Sequence, residues 1–86
     1  MYLHIGQDVV VARESIVGIF DLDSASARKA TRSYLAEATG QGRVINACED
    51  LPRSFIVCVQ EGSESVYVSQ ISSKTLTKRI YETDSF

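Results

Sequence analysis

The segment Ile16-Val17-Gly18-Ile19-Phe20 sets the strongest limit on the fold. Five nearly continuous apolar residues, rich in β-branched side chains, are too few for an ordinary helix. They match a strand covered on both faces. Gly18 in its middle points to close approach by another backbone. Phe55–Gln60 is a second apolar run of strand length. Tyr2–Ile5 and Val9–Ala12 are shorter β-rich runs joined by Gly6-Gln7-Asp8, whose Gly and Asp suit a hairpin or a bulged bend. Arg43–Ala47 reads as another short strand. Val66–Ile71 sets Val66, Val68 and Gln70 against Tyr67, Ser69 and Ile71, the two-residue period of a strand. Leu51-Pro52 marks a turn, and Glu61–Ser65 a polar hairpin loop.

Two segments carry the helical period instead. From Ala25 to about Thr39, Ala27, Ala30, Tyr34, Leu35 and Ala38 recur at three- and four-residue steps. Ser24 or Ser26 can cap this helix, and Gly40 and Gly42 end it. Ser72 or Ser73 can cap a last helix, Lys74–Tyr81, with Leu76, Ile80 and Tyr81 on its apolar side. Residues 83–86 are expected to fray. With 86 residues the chain forms one domain, 1–86, of ordinary globular composition: 44% hydrophobic and 23% charged. The order of elements predicts an α+β fold, a small and mostly antiparallel sheet with two helices. The longest apolar runs fall far below the ~20 residues of a membrane span. The start, MYLHIGQD, has neither a basic nor a long apolar stretch, which predicts no export signal and a cytoplasmic chain.

The chain offers no catalytic set. It has one histidine and none of the motifs G-x-S-x-G, C-x-x-C, H-E-x-x-H or a P-loop. His4, between Leu3 and Ile5, reads as structural. Asp21 and Asp23 lack the further ligands of a calcium loop and read as a helix start. Glu49-Asp50 reads as a solvated loop pair. Cys48 and Cys58 read as small buried residues of strands. No enzyme, no cofactor, no metal and no small-molecule substrate are expected.

The basic residues say more. A net charge of −2 argues against coating nucleic acid by bulk charge, yet a local patch is compatible with it. Arg28, Lys29 and Arg32 crowd the first helix, Arg43 lies beyond its end and Arg53 follows Pro52. Lys74, Lys78 and Arg79 group on the last helix. Each cluster is either a solvated helix face or a surface for phosphates. The acids fall mostly elsewhere in the sequence, at Asp8, Glu14, Glu49, Asp50, Glu61 and Glu64.

Three motifs carry a family likeness: LHIG at 3–6, IVGIFD at 16–21 and VINA at 44–47. With them the chain resembles, over roughly residues 1–80, the RemA/RemB family of bacterial extracellular matrix regulatory proteins. The resemblance implies a small cytoplasmic protein of Gram-positive bacteria that regulates biofilm-matrix gene expression. It also implies a LytTR-like fold, ring-like homo-oligomers and binding to double-stranded DNA. RemA-like proteins carry an arginine before the Ile-Val strand, where this chain has Ser15 with Arg13 nearby. They carry an Arg-Arg pair where this chain has Leu51-Pro52 followed by Arg53. On this basis DNA contact is expected at Arg53, Arg43 and Arg13, with Arg28 and Arg32 as outer candidates. The other function class that fits is a protein-interaction or structural module that does not bind DNA.

Overall fold

The computed structural model describes residues 1–25 and 28–84. The chain begins with an antiparallel hairpin, β1 (Tyr2–Gly6) and β2 (Val9–Ala12), which forms a two-stranded sheet of its own. A turn of 3₁₀ helix, Arg13–Ser15, leads into β3 (Ile16–Asp21). The helices α1 (Leu22–Ala25) and α2 (Lys29–Gly40) follow, then β4 (Val44–Asn46), β5 (Ser54–Gln60), β6 (Ser63–Ser69) and α3 (Ser73–Asp84). The larger sheet has the order β3-β5-β6-β4, antiparallel except for the parallel β4–β6 pair. The α+β class with a mostly antiparallel sheet is therefore observed. The radius of gyration of 12.4 Å is close to the ~12 Å expected of one compact domain of this length.

The large sheet is covered on both faces, and the period-two pattern of its strands decides which residue serves which core. On one face the hairpin and α3 bury Leu3, Ile5, Val11, Ile56, Cys58 and Leu76. On the other, α2 lays Ala38, Tyr34 and Leu35 against Phe55, Val57 and Val66. The alanine at position 38 lets α2 sit close, as its small-residue stripe suggested. Ala30 of that stripe is exposed, while Ala27 and the candidate cap Ser26 lie outside the described residues. The α2 N-cap position is Arg28, with no side-chain cap bond, so Ser24 does not cap it. Ser72 does cap α3, its hydroxyl accepting the Thr75 amide at 3.2 Å. That helix runs through Asp84, beyond the expected frayed start at 83; residues 85 and 86 lie outside the described set.

Three strand expectations are corrected. The segment Glu61–Ser65 is not a loop: Glu61-Gly62 alone makes the turn, with φ of 52° and 81°, and β6 already starts at Ser63. Positive φ at both turn residues matches the twist of the flanking strands, so two residues suffice. The strand at 16–21 is not covered on both faces. It is the sheet's edge, Val17 is 68% exposed and Phe20 43%, because α2 leans toward β5 and β6. Nor does Gly18 meet another backbone; a Cβ there would meet the ring of Phe20 at 2.7 Å. Tyr81, expected on the apolar side of α3, is 70% exposed, one position past the buried row that holds Leu76 and Ile80.

The hairpin is fastened to the large sheet by main-chain detail. Gly6 has φ of 147° and lies directly on the Ala47 carbonyl; a Cβ would overlap that oxygen and sit 3.4 Å from its carbon. The buried Ser69 hydroxyl donates to the Ile5 carbonyl at 2.5 Å and accepts the Ile71 amide at 3.0 Å. His4 is exposed, and its Nε2 lies 2.5 Å from the Gln7 carbonyl, where it ties the turn. A structural role for His4 fits this contact.

Candidate functional site

The five candidate arginines fall at two opposite ends of the sheet. Strands β3 and β5 run antiparallel, with Asp21 opposite Ser54 and Ile16 opposite Cys58. Five steps along β3 separate the two ends by about 17 Å. Arg53, next to Ser54, and Arg28, just before α2, belong to the first end. Arg13, before Ile16, belongs to the second, as does Arg43 beyond the far end of α2.

At the first end, the N-termini of α2 and α3 converge. Arg28, Ser24, Asp21 and Ser73 line one cleft of about 450 Å³. Arg53, Pro52, Leu51 and Asp23 line a second, of about 600 Å³. Main-chain bonds hold Arg53 in place: its amide donates to Ser69 at 2.8 Å and its carbonyl accepts the Leu22 amide at 3.0 Å. Both arginines are exposed. Lys29 and Lys74 follow Arg28 and Ser73 in sequence and add positive charge. Arg32 lies one turn into α2, exposed, its amide bonded to the Arg28 carbonyl at 3.1 Å. Lys78 is farther along α3 and pairs with Glu82 at 3.8 Å.

The acids are not segregated from this end in space. Asp21 accepts the Asp23 amide at 2.9 Å and so starts α1, as expected of this pair. The Glu49 amide is held by the Gln70 side chain at 3.0 Å, which brings Glu49 and Asp50 beside the loop of Arg53. Four carboxylates thus share the end with Arg28, Lys29, Arg53 and Lys74. Glu49 and Asp50 are near Arg53 along the chain itself; what the one-dimensional spacing hid is that Arg28, Lys29 and Lys74 share their end, which the pairing of β3, β5 and β6 decides.

At the second end, the cations are engaged. Arg43 donates through Nη1 to Glu64 at 2.5 Å and through Nε to the Gln41 side chain at 2.6 Å. The Tyr34 hydroxyl donates to the same Glu64 oxygen at 2.6 Å, and the Arg43 guanidinium lies 5.8 Å from the Tyr34 ring centre. The Tyr34 and Arg43 donors hold the Glu64 carboxyl below its usual range. Burial, then the Glu64 carboxylate, pushes the Tyr34 hydroxyl up. Arg13 Nη1 reaches the Ile80 carbonyl at 3.5 Å. Glu64 was not singled out from the sequence as a partner, since it lies 21 and 30 residues from the groups it joins.

Of the cysteines, Cys58 is buried in β5 as expected, and burial raises its thiol pKa. Cys48 is not a buried strand residue. It follows β4 in a loop, partly exposed, and its Sγ lies 2.6 Å from the Asp50 carbonyl. Among the described residues no group of three metal-ligating side chains occurs, and no helix is long and apolar enough to cross a membrane.

Comparison with known proteins finds similarity along most of the chain. The model of the RemA-like family, described as extracellular matrix regulatory protein A-like, matches residues 2–80. The chain is also 36% identical to extracellular matrix regulatory protein B of Bacillus subtilis (strain 168) over 88 aligned residues, covering 99% of this chain and 100% of that protein.

Proposed function

This chain belongs to the RemA-like family, and from that membership we propose that it is a non-enzymatic cytoplasmic regulator of biofilm extracellular-matrix gene expression, acting on double-stranded DNA as a ring-like homo-oligomer. The observation that carries the DNA part is that Arg28 and Arg53 line two clefts at one end of the sheet, the Arg28 cleft also holding Ser73 at the start of α3. Orphan amides at a helix start and arginine forks are both phosphate ligands. The α2 start carries no side-chain cap bond to compete. With four carboxylates close by, one protomer holds a phosphate weakly. Repetition of the site around an assembly raises effective concentration and makes weak contacts sufficient. Contact runs to phosphates first, with weak sequence preference. Arg28 and Arg53 are the principal residues, Arg32 flanks them, and Arg43 and Arg13 stand at the far end.

Fluorescence anisotropy of a labelled duplex at increasing salt tests this. The logarithm of affinity falls with the logarithm of salt, by roughly 0.9 per phosphate neutralised. Arg53→Ala and Arg28→Ala each weaken binding and flatten that slope while the particle mass stays unchanged. Absence of any binding at low salt refutes the DNA reading. The same four carboxylates favour the second reading, a protein-interaction module, which a basic partner peptide would then satisfy. Loss of assembly in Arg53→Ala would assign that arginine to a subunit contact.

A further inference from the structure

Strand β3 ends the large sheet, and among the described residues no backbone–backbone bond on its outer side engages Val17 to Phe20. Open edges of this kind are usually blunted by charge, by proline or by very short strands. From Ile16 to Phe20 there is neither charge nor proline. The single irregularity is a bulge at Val17, where the register to β5 shifts between Ile16 and Gly18. Val17, at 68%, and Phe20, at 43%, leave apolar surface in water. Beside them an open apolar groove of about 380 Å³ runs between β3 and α2, walled also by Tyr34, Phe55 and Val57.

The bulge has a consequence for pairing. Without it, residues 17 and 20 would point to opposite faces, since a strand alternates. With it, both line the groove on the α2 side, while Ile16 and Ile19 pack into the opposite core. In an antiparallel pair related by a two-fold axis, residues directly opposite share a face. Placing Ile19 opposite Ile19 of a second copy sets Gly18 against Phe20 on the groove face, and past the bulge Ile16 against Asp21 on the other, with the bulged Val17 beside the partner's Phe20. Val17 and Phe20 then cover each other twice by symmetry, and no like charges meet, because Asp21 faces Ile16. The strand is thus complementary to itself.

We propose that β3 pairs antiparallel with β3 of a second copy of this chain, joining two four-stranded sheets into one of eight strands with Val17 and Phe20 at the contact. This inference rests on the assembly reading above and names one of its contacts. A two-fold contact closes on itself. It therefore joins protomers pairwise, and a ring needs a separate, heterologous contact.

Light scattering at micromolar concentration, with Val17→Lys beside wild type, tests it. Val17 is exposed in the protomer, so the variant keeps its circular dichroism while the particle mass falls at least twofold. An assembled wild type with Val17→Lys of equal mass overturns the β3 contact and leaves assembly standing. A wild type that stays monomeric overturns the assembly reading itself, and the β3 contact with it. Hydrogen exchange on wild type gives a reading independent of any variant: the β3 amides exchange more slowly as concentration rises through assembly. Exchange in β3 that ignores concentration, in a protein whose mass rises, refutes the pairing.

Discussion

Replacing Gly6 by alanine tests how the hairpin is held. The glycine has φ of 147°, a conformation that residues with a Cβ rarely adopt, and the new methyl would overlap the Ala47 carbonyl oxygen. Backbone strain of this kind costs of order 1–3 kcal/mol. The clash is with main chain, so no rotamer relieves it, and β1 must lift from the 46–48 segment. Lifting stretches the Ser69–Ile5 hydrogen bond, worth about 1 kcal/mol. It also loosens Leu3 and Ile5, both buried in the core beneath. The expected loss is about 3–4 kcal/mol. Chains of this size have a total stability of roughly 4–13 kcal/mol. At about 4–8 °C per kcal/mol, the melting temperature drops by roughly 12–30 °C. Urea denaturation followed by circular dichroism measures this. A loss under about 1 kcal/mol would show that the hairpin docks without needing a bare backbone at position 6, and would refute the reasoning.

Other expectations concern single side chains. Glu64 has a carboxyl pKa held below the ordinary 4.5 by Tyr34 and Arg43, so its contribution to stability is present above that value and is lost as pH falls through the lower folded pKa. Acid titration of stability should show a component below pH 4.5 that Glu64→Gln lacks; identical curves would count against the triad. Cys48, partly exposed, should react with a thiol reagent in the native protein well before Cys58, whose thiol is buried and raised in pKa. Equal rates would contradict this placement. Leu76→Ala, at a fully buried side chain of α3, should cost about 2–5 kcal/mol in denaturant unfolding. A smaller loss would mean that α3 adds little to the core.

Much of the fold follows from local pattern. The β-branched runs at 16–20 and 55–60 become strands because their residues favour a pleated backbone whatever surrounds them. The α2 stripe of Tyr34, Leu35 and Ala38 is a helical face by spacing alone. Ser72 and the Asp21–Asp23 pair act through bonds within a few residues, so they too are legible in one dimension, whereas the approach of Gly6 to Ala47 is not. The family motifs LHIG, IVGIFD and VINA lie on such elements: on β1, on β3, and from β4 onto Ala47. The rest depended on which strands meet. Nothing in Ile16–Phe20 distinguishes a central strand from an edge, because partner choice belongs to the sheet; only the β3-β5-β6-β4 order leaves Val17 and Phe20 bare. Glu64 finds Arg43 and Tyr34 through the β5–β6 turn and the crossing of α2, contacts that no spacing encodes. The charge of the candidate DNA face is likewise a tertiary property. Arg28 and Arg53, with Glu49 and Asp50 in the loop before it, share one sheet end, while Arg43 and Arg13 are carried to the far one, because antiparallel pairing folds distant positions onto one sheet end.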